Sequence, residues 1–436
     1  MSVKLLTYRE HVDHHPLTAE EALSFEESNY STLFKKRRGD LPCYNIIEKG
    51  EGAYHLSTGY FIGVDWIVKG KTALYVEPKL NVKNKDNDRT EIKEIDFINM
   101  LFSSLRHPEV LNEVNELFEV KWNEPTIGIE QKQDLLTPFL IVEFLGLLKN
   151  IVRKGLKKSY YKVEKNLHSR VKGKILLGKS IKHNLMQQKN LHTYCTYDEF
   201  GVDNKENRLL KKALVFVKRY LPAYARLTDH KELKNTFNYI NPAFQAVSEN
   251  IQLQEIKQSK TNAFYKDYEQ AIRLAKLILR RFGYNISNTV KDKIETPPFW
   301  IDMSKLFELY VLGLLKDRFH GEVRFQVTPD RGNEIDYLLK SAKYKMVIDA
   351  KYKTKYITWH HNDDIRQVSG YARLRGVYDY FYEDRDYNKV VDCLIVYPDQ
   401  EGEVDDLLEV KLKEKEVDLY YGVYKVGVRL PVVGSK

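Results

Sequence analysis

Residues 322–371 constrain this chain more than any other stretch. Three short apolar runs follow one another there. Val323–Val327 alternates apolar and polar residues, and Ile335–Leu339 is mostly apolar. Lys345–Tyr352 carries Met346-Val347-Ile348 and then Asp349-Ala350-Lys351. β-Branched and aromatic side chains bounded by Gly- and Asp-rich turns specify strands. Side chains alternate faces along a strand, so Asp349 and Lys351 point one way and Ala350 the other. If the second and third strands pair antiparallel, Asp336 joins them. Two carboxylates and an ammonium then converge on one point.

That constellation suits phosphodiester hydrolysis. Two carboxylates hold Mg²⁺, with Mn²⁺ as a substitute, because a hard cation prefers oxygen ligands and keeps several waters. Such a metal lowers the pKa of bound water and offsets charge on a phosphoryl oxygen. A neighbouring lysine orients the water or stabilises the charge that develops. The alternative is three charges on a solvated sheet face, which fits poorly with Ile348 and Ala350 flanking Asp349.

The spacing Asp336-x12-Asp349-Ala350-Lys351 resembles the PD-(D/E)xK nuclease signature, and Gln367-x3-Tyr371 resembles the QxxxY element that follows it in one branch of these nucleases. Glu308, within Met303-Ser-Lys-Leu-Phe-Glu-Leu-Tyr-Val311, matches the first-helix glutamate. Upstream, Val171-Lys-Gly-Lys-Ile175, Tyr197-Asp-Glu-Phe200 and Asn207-Arg-Leu-Leu-Lys211 agree. Together, over roughly residues 55–375, they resemble the McrC family, the nuclease subunit of McrBC modification-dependent restriction systems. One departure stands out: Ile335 occupies the place of the proline before the first aspartate. A literal Pro329-Asp330 reads as a turn, so Asp336, inside the apolar run, is the expected ligand.

The resemblance implies a Mg²⁺-dependent endonuclease acting on methylated double-stranded DNA. Its catalytic residues would be Asp336, Asp349, Lys351, Glu308, Gln367 and Tyr371, with Asp336, Asp349 and Glu308 as the metal ligands. It also implies a partner, a hexameric McrB-like AAA+ GTPase that the N-terminal part engages and whose hydrolysis it stimulates.

Composition agrees with a polyanionic partner. The net charge is +9, and hydrophobic residues make up 43% of the chain, enough for real cores. The basic excess concentrates between Lys149 and Lys189, where thirteen Lys/Arg face a single acidic residue, Glu164. Lys157, Lys158, Lys172, Lys174 and Lys179 in this stretch are expected to neutralise DNA phosphates without reading sequence. Cys43, Cys195 and Cys393 are far apart and odd in number, so neither a disulfide framework nor a zinc site is expected, and a reducing cytoplasm fits. No apolar run reaches membrane-spanning length.

Read in order, the chain gives an α/β multidomain protein: a β-rich N-terminal domain (1–125), a helical basic region (126–295) and a PD-(D/E)xK α/β core (296–436). His11, His14 and His15 read as a surface loop, and Phe34-Lys-Lys-Arg-Arg38 as a basic face. A hairpin is expected from Tyr60–Val68, Gly70-Lys71 and Thr72–Val76. A polar loop over Lys79–Thr90 and a helix over Ile92–Leu105 follow. Further helices are expected after Thr137-Pro138 up to Gly155, over Asn204–Leu221 with Asp203 as cap, and over Asn262–Phe282. Helices through Phe319, capped by Asp302 or Ser304, and over Asp364–Leu374 flank the strands of the core. A strand over Val390–Tyr397 and a terminal strand or hairpin in 416–433 complete it.

Gly173-Lys-Ile-Leu-Leu-Gly178-Lys179-Ser180 fits the P-loop pattern, but no apolar strand precedes it and Ile175-Leu176-Leu177 replaces small residues. The nucleotide machine is therefore expected in the partner. A different class of function, an adaptor that stimulates the motor with a vestigial nuclease site, conflicts with the intact Asp/Asp/Lys set. A free-standing repair nuclease would lack a motor of its own.

Overall fold

The computed structural model describes residues 3–432 other than 19–20, 22–30, 35–39, 50–52, 80–81, 84–91, 94, 108–109, 111–113, 115–116, 131–133, 221–230, 256–265, 286–292, 330–331, 354–357, 383, 385, 401–406 and 408–410. The basic run Lys35–Arg38, most of the loop Lys79–Thr90, Pro222 and Asp330 lie outside the described residues. In chain order the main strands are β1 (Lys4–Arg9), β2 (Phe61–Val68), β3 (Thr72–Glu77), β4 (Phe118–Val120), β5 (Ser159–His168), β6 (Lys174–Ile175), β7 (His192–Gly201), β8 (Phe299–Asp302), β9 (Val323–Val327), β10 (Ile335–Lys340), β11 (Lys345–Ala350), β12 (Asp392–Pro398) and β13 (Val423–Val428). The main helices are α1 (Phe97–Ser104), α2 (Leu136–Lys154), α3 (Leu177–His183), α4 (Lys205–Tyr220), α5 (Lys231–Ile240), α6 (Lys266–Asn285), α7 (Met303–Phe319), α8 (Thr358–Tyr371) and α9 (Arg375–Phe381).

The expected hairpin forms as β2 and β3, antiparallel, with Gly70 at φ +74 in the turn. It sits in a five-stranded sheet of order β1-β3-β2-β8-β4. β8 comes from residues far along the chain, yet it lies between two N-terminal strands. Phe299, Trp300 and Ile301 are fully buried there, and the Trp300 indole N–H donates to Asp65 Oδ2 at 2.9 Å. Trp300 pairs with Gly63, where a Cβ would lie 2.0 Å from the Phe299 carbonyl oxygen. Only glycine lets the two backbones approach so closely.

β8 runs directly into α7. Asp302 Oδ1 accepts from the Lys305 N–H at 3.0 Å, an N-cap that typically stabilises a helix by about 1 kcal/mol. Of the expected stripe, Met303, Leu306, Phe307, Tyr310 and Val311 are buried and Leu314 is half-buried. Burial extends well round the helix, to Leu309, Leu312 and Leu315. Beyond α7 lies a second five-stranded sheet of order β9-β10-β11-β12-β13. Its first three strands are antiparallel, and β12 and β13 join in parallel. A parallel neighbour requires a crossover, and α8 lies in the one between β11 and β12. Ile365 and Val368 of α8 pack with Val347, Cys393 and Ile395 in the core beneath.

The chain divides into two compact units, Met1–Val142 with Asn288–Lys436, and Glu143–Ser287. Three successive domains bounded at 125 and 295 do not describe it, because β8 completes the N-terminal sheet. The expectation of a helical middle region also needs correction. β5 and β7 pair antiparallel over ten residues each, and β6 adds to β7 in a three-stranded sheet. Alternation in Ser159–His168 is masked in the sequence by lysines on both faces.

Several helix boundaries shift for local reasons. α1 starts at Phe97, where Asp96 Oδ1 accepts from the Asn99 N–H, and Ile92-Lys93 is extended against Val82-Lys83. The start of α2 is held by Asp134, which accepts from the Thr137 N–H, and Gly155 at φ +90 follows its end. The cap of α4 is Asn204, which accepts from the Asn207 N–H, rather than Asp203. The Asp203 carboxylate is engaged by Arg208 and the Ser248 N–H. α6 continues through Gly283 to Asn285. The terminal strand is β13. Among the described residues no helix is long and apolar enough to cross a membrane.

Candidate active site

Antiparallel β10 and β11 pair Tyr337 with Ile348, and one step further sets Asp336 across from Asp349. The Ala350 N–H donates to Asp336 Oδ2 at 2.8 Å and fixes that carboxylate at the strand end. Lys351 Nζ lies 2.8 Å from Asp349 Oδ2, so these side chains share a face as alternation requires. Asp349 is 3% exposed, which removes the reading of a solvated sheet face.

α8 supplies the next contacts. Lys351 Nζ donates to Gln367 Oε1 at 2.8 Å, and Gln367 Nε2 donates to the Tyr371 hydroxyl at 2.8 Å. Residues four apart on a helix are neighbours, and Gln367 and Tyr371 use that spacing to form one relay. Glu308 on α7 borders the same centre. Its carboxylate is 3.7 Å from Lys305 Nζ, and its backbone carbonyl accepts from the Tyr337 hydroxyl at 2.6 Å.

Electrostatics mark the crowding. Burial raises the Asp336 carboxyl well above the usual carboxylate range, and the charges of Glu308 and Asp349 push it further. Burial also raises Asp349, with Lys351 opposing. Burial alone would pull the Lys351 ammonium down, but Asp349 more than reverses this and its pKa rises. Lys351 is thus held as a cation and acts as a donor.

Among the described residues no group of three or more His, Cys, Asp or Glu side chains is arranged to hold a metal ion. Asp336, Asp349 and Glu308 are therefore not a closed three-carboxylate cage. Mg²⁺ does not require one, since it commonly takes one or two carboxylates and fills its octahedron with water and phosphate oxygens. Carboxylates destabilised by burial and mutual repulsion fit a cation that would relieve both.

Sequence reading missed two residues here. Lys353 Nζ contacts both Asp364 oxygens, at 2.8 and 2.9 Å, and Asp364 is buried. This pair ties the segment after β11 to α8 and brings Gln367 onto Lys351. The signal was present: Lys353 lies two beyond Lys351, and Asp364 lies three before Gln367.

The basic residues lie in the other unit and are not equivalent. Lys157 pairs with Glu206 at 2.7 Å, Lys179 pairs with Glu164, and Lys172 lies 4.1 Å over the Tyr197 ring. Lys158 and Lys174 are exposed. The P-loop-like stretch is no phosphate loop: Lys174-Ile175 is a strand, and Ser180 Oγ accepts from the Tyr194 N–H. Unexpectedly, Leu177, Ile181, Leu185 and Met186 are all more than half exposed beside these lysines. His11, His14 and His15 lie in an exposed segment.

Fold and centre together define a mixed α/β protein with a partly buried carboxylate–lysine constellation at the ends of two paired strands. Residues 61–398 match the family model described as McrBC 5-methylcytosine restriction system component, and the chain belongs to that family. Among solved structures it is similar to a refined half-complex from the tetradecameric assembly of Thermococcus gammatolerans McrB AAA+ hexamers with bound McrC. The identity is 16% and the TM-score 0.40, covering 99% of this chain and 96% of that one. It is also similar to the Thermococcus gammatolerans McrBC complex seen by cryo-EM, at 16% identity and TM-score 0.29, covering 72% of this chain and 87% of that one. No curated protein matches.

Proposed function

We propose that this chain is the endonuclease subunit of a McrBC-like restriction complex, a Mg²⁺-dependent PD-(D/E)xK enzyme that hydrolyses phosphodiester bonds of methylated double-stranded DNA. The observation that carries the reading is the convergence of Asp336 and Lys351 on the buried Asp349, with Glu308 beside them. Family membership supports the restriction context. A metal bound there would activate water and offset phosphoryl charge. Asp336 and Asp349 would hold it, and Glu308 would add a carboxylate at the rim. Lys351, kept protonated by Asp349, donates to the oxygen on which charge develops or to the attacking water. Gln367 and Tyr371 hold its ammonium in place. The three cysteines are free thiols, which suits a reducing cytoplasm.

The partner would be a McrB-like AAA+ GTPase ring, engaged by the N-terminal part and stimulated by it. In the Thermococcus complex McrC is bound to McrB AAA+ hexamers. The test is DNA cleavage by the purified chain with its ring partner, GTP and Mg²⁺. Cleavage of methylated but not unmethylated DNA is expected. GTP turnover stimulated by a chain that never cuts DNA would instead favour the adaptor reading.

A second reading applies to the middle unit alone. Phosphate neutralisation needs lysines but not apolar side chains, and Leu177, Ile181, Leu185 and Met186 face solvent among them. That face also suits a protein partner.

A further inference from the structure

One residue beyond Lys351, Tyr352 is buried and its hydroxyl donates to Glu10 Oε1 at 2.8 Å, across 342 positions of sequence. Glu10 is itself 1% exposed. Its place follows from strand order. β1 and β3 pair in parallel with Arg9 opposite Glu77, so both strands end at the same edge. There the Glu10 N–H donates to the Glu77 carbonyl at 2.9 Å, and the Lys79 N–H donates to Glu10 Oε1 at 3.1 Å. The Lys79 ammonium lies 4.3 Å from the Tyr60 ring centre and 4.4 Å from that of Tyr352, and it donates to the Tyr352 carbonyl at 3.4 Å. The Tyr352 ring also lies 6.0 Å from that of Phe307, the neighbour of Glu308.

This arrangement is costly. Burial raises the Glu10 carboxyl and lowers Lys79 to about 8. Glu10 Oε2 has no hydrogen-bond partner among the described residues. Apolar residues of similar volume would fill the space with less desolvation. What the buried carboxylate does provide is a directional hold on Tyr352, and Tyr352 is covalently next to Lys351. The Lys351 N–H is fixed to the Val396 carbonyl at 2.8 Å, so an anchor on the following residue restricts the remaining freedom of that backbone.

We propose that Glu10 is a positioning residue for the nuclease centre: through Tyr352 it fixes the end of β11 and the aim of Lys351, which gives the N-terminal sheet a direct hold on cleavage. The proposal rests on the nuclease reading above.

The experiment uses the full chain with its ring partner, methylated DNA, GTP and Mg²⁺. Glu10→Ala and Tyr352→Phe should each lower kcat for cleavage about tenfold, with KM for DNA and GTP turnover unchanged. The double variant should be no slower than either single one, because both remove the same link. Glu10→Gln should restore most of the rate, since its amide oxygen still accepts from Tyr352 and Lys79. Hydrogen exchange across residues 349–353 should quicken in Glu10→Ala and Tyr352→Phe and return to normal in Glu10→Gln. Should Glu10→Ala fail to fold, Tyr352→Phe carries the test, because the phenyl ring fills the same space. Wild-type exchange in Tyr352→Phe, additive rate losses, or a change in KM alone would overturn the proposal. If the wild-type chain never cuts DNA, the nuclease reading falls, and exchange decides by itself whether Glu10 holds this segment.

Discussion

The Lys351 ammonium lies 2.8 Å from Asp349 Oδ2, two residues away on the same strand end. Each favours the charged form of the other against the burial that opposes it. Asp336→Ala, Asp349→Ala and Lys351→Ala should each reduce DNA cleavage by at least about a hundredfold. Ring binding and GTP stimulation should persist. Single-turnover cleavage measured beside GTP hydrolysis checks this. Wild-type cleavage by Asp349→Ala would remove the site assignment.

Gln367 donates to Tyr371 and accepts from Lys351, and among the described residues it bonds to no carboxylate. Gln367→Ala should therefore cost less, about tenfold in rate, and leave Mg²⁺ dependence unchanged. Tyr371→Phe removes only the acceptor of the Gln367 amide and should cost less again. A Mg²⁺ titration of cleavage for both variants separates an effect on lysine aim from one on metal affinity.

The centre should also register in stability. Asp336 and Asp349 both have raised folded-state pKa values. A raised carboxylate stabilises the fold fully below its ordinary value, and that contribution is lost as pH rises through the folded one. In chelator, melting temperature should therefore fall as pH rises above the ordinary carboxylate range, more steeply for wild type than for Asp336→Asn. Glu143, raised to about 7, contributes equally to both proteins and cancels in the comparison. Mg²⁺ should restore wild-type stability at the upper end. Parallel slopes in calorimetry would mean that Asp336 is not destabilised by ionisation.

The lysines of the middle unit should divide by environment. Charge reversal at exposed Lys158 and Lys174 should weaken DNA binding on all sequences and reduce the salt slope by about 0.9 per lost phosphate contact. Lys157→Glu should instead lower stability, because it places like charge against Glu206. If Leu177→Gln with Met186→Gln abolishes ring binding while DNA affinity holds, the face is a protein contact. Affinity and salt dependence measured by fluorescence anisotropy distinguish these.

A chain ending at residue 295 should not fold its N-terminal sheet. It lacks β8, and β2 and β4 would lose their common neighbour. Limited proteolysis should degrade it, whereas a chain carried through Asp302 should be markedly more resistant.

The sheet β9–β13 was legible because its strands are short, apolar and bounded, and because alternation fixes which charges share a face. The convergence of Asp336, Asp349 and Lys351 follows from strand alternation, whereas Gln367 and Tyr371 joined them through the family resemblance. Glu308 was ambiguous, since a residue at the border of a buried stripe can turn either way. Glu10 left no local signal, because what defines it is a partner more than three hundred positions away. β8 was missed for the same reason. Phe299-Trp-Ile-Asp302 is too short for periodicity, and nothing in it names the strand it pairs with. The middle sheet was hidden by lysines on both faces of its hairpin.

The insertion of β8 also bears on how the protein is made. β2 and β4 leave the ribosome with a vacant lane between them, and the strand that fills it is synthesised roughly 230 residues after β2, about 10–50 s later at typical translation rates. Throughout that interval the nascent N-terminal part presents exposed sheet edges, which invite pairing with other chains. Closure of that lane coincides with the emergence of α7 and Glu308, so a nascent chain completes its N-terminal sheet just before the strands that carry Asp336 and Asp349 are made.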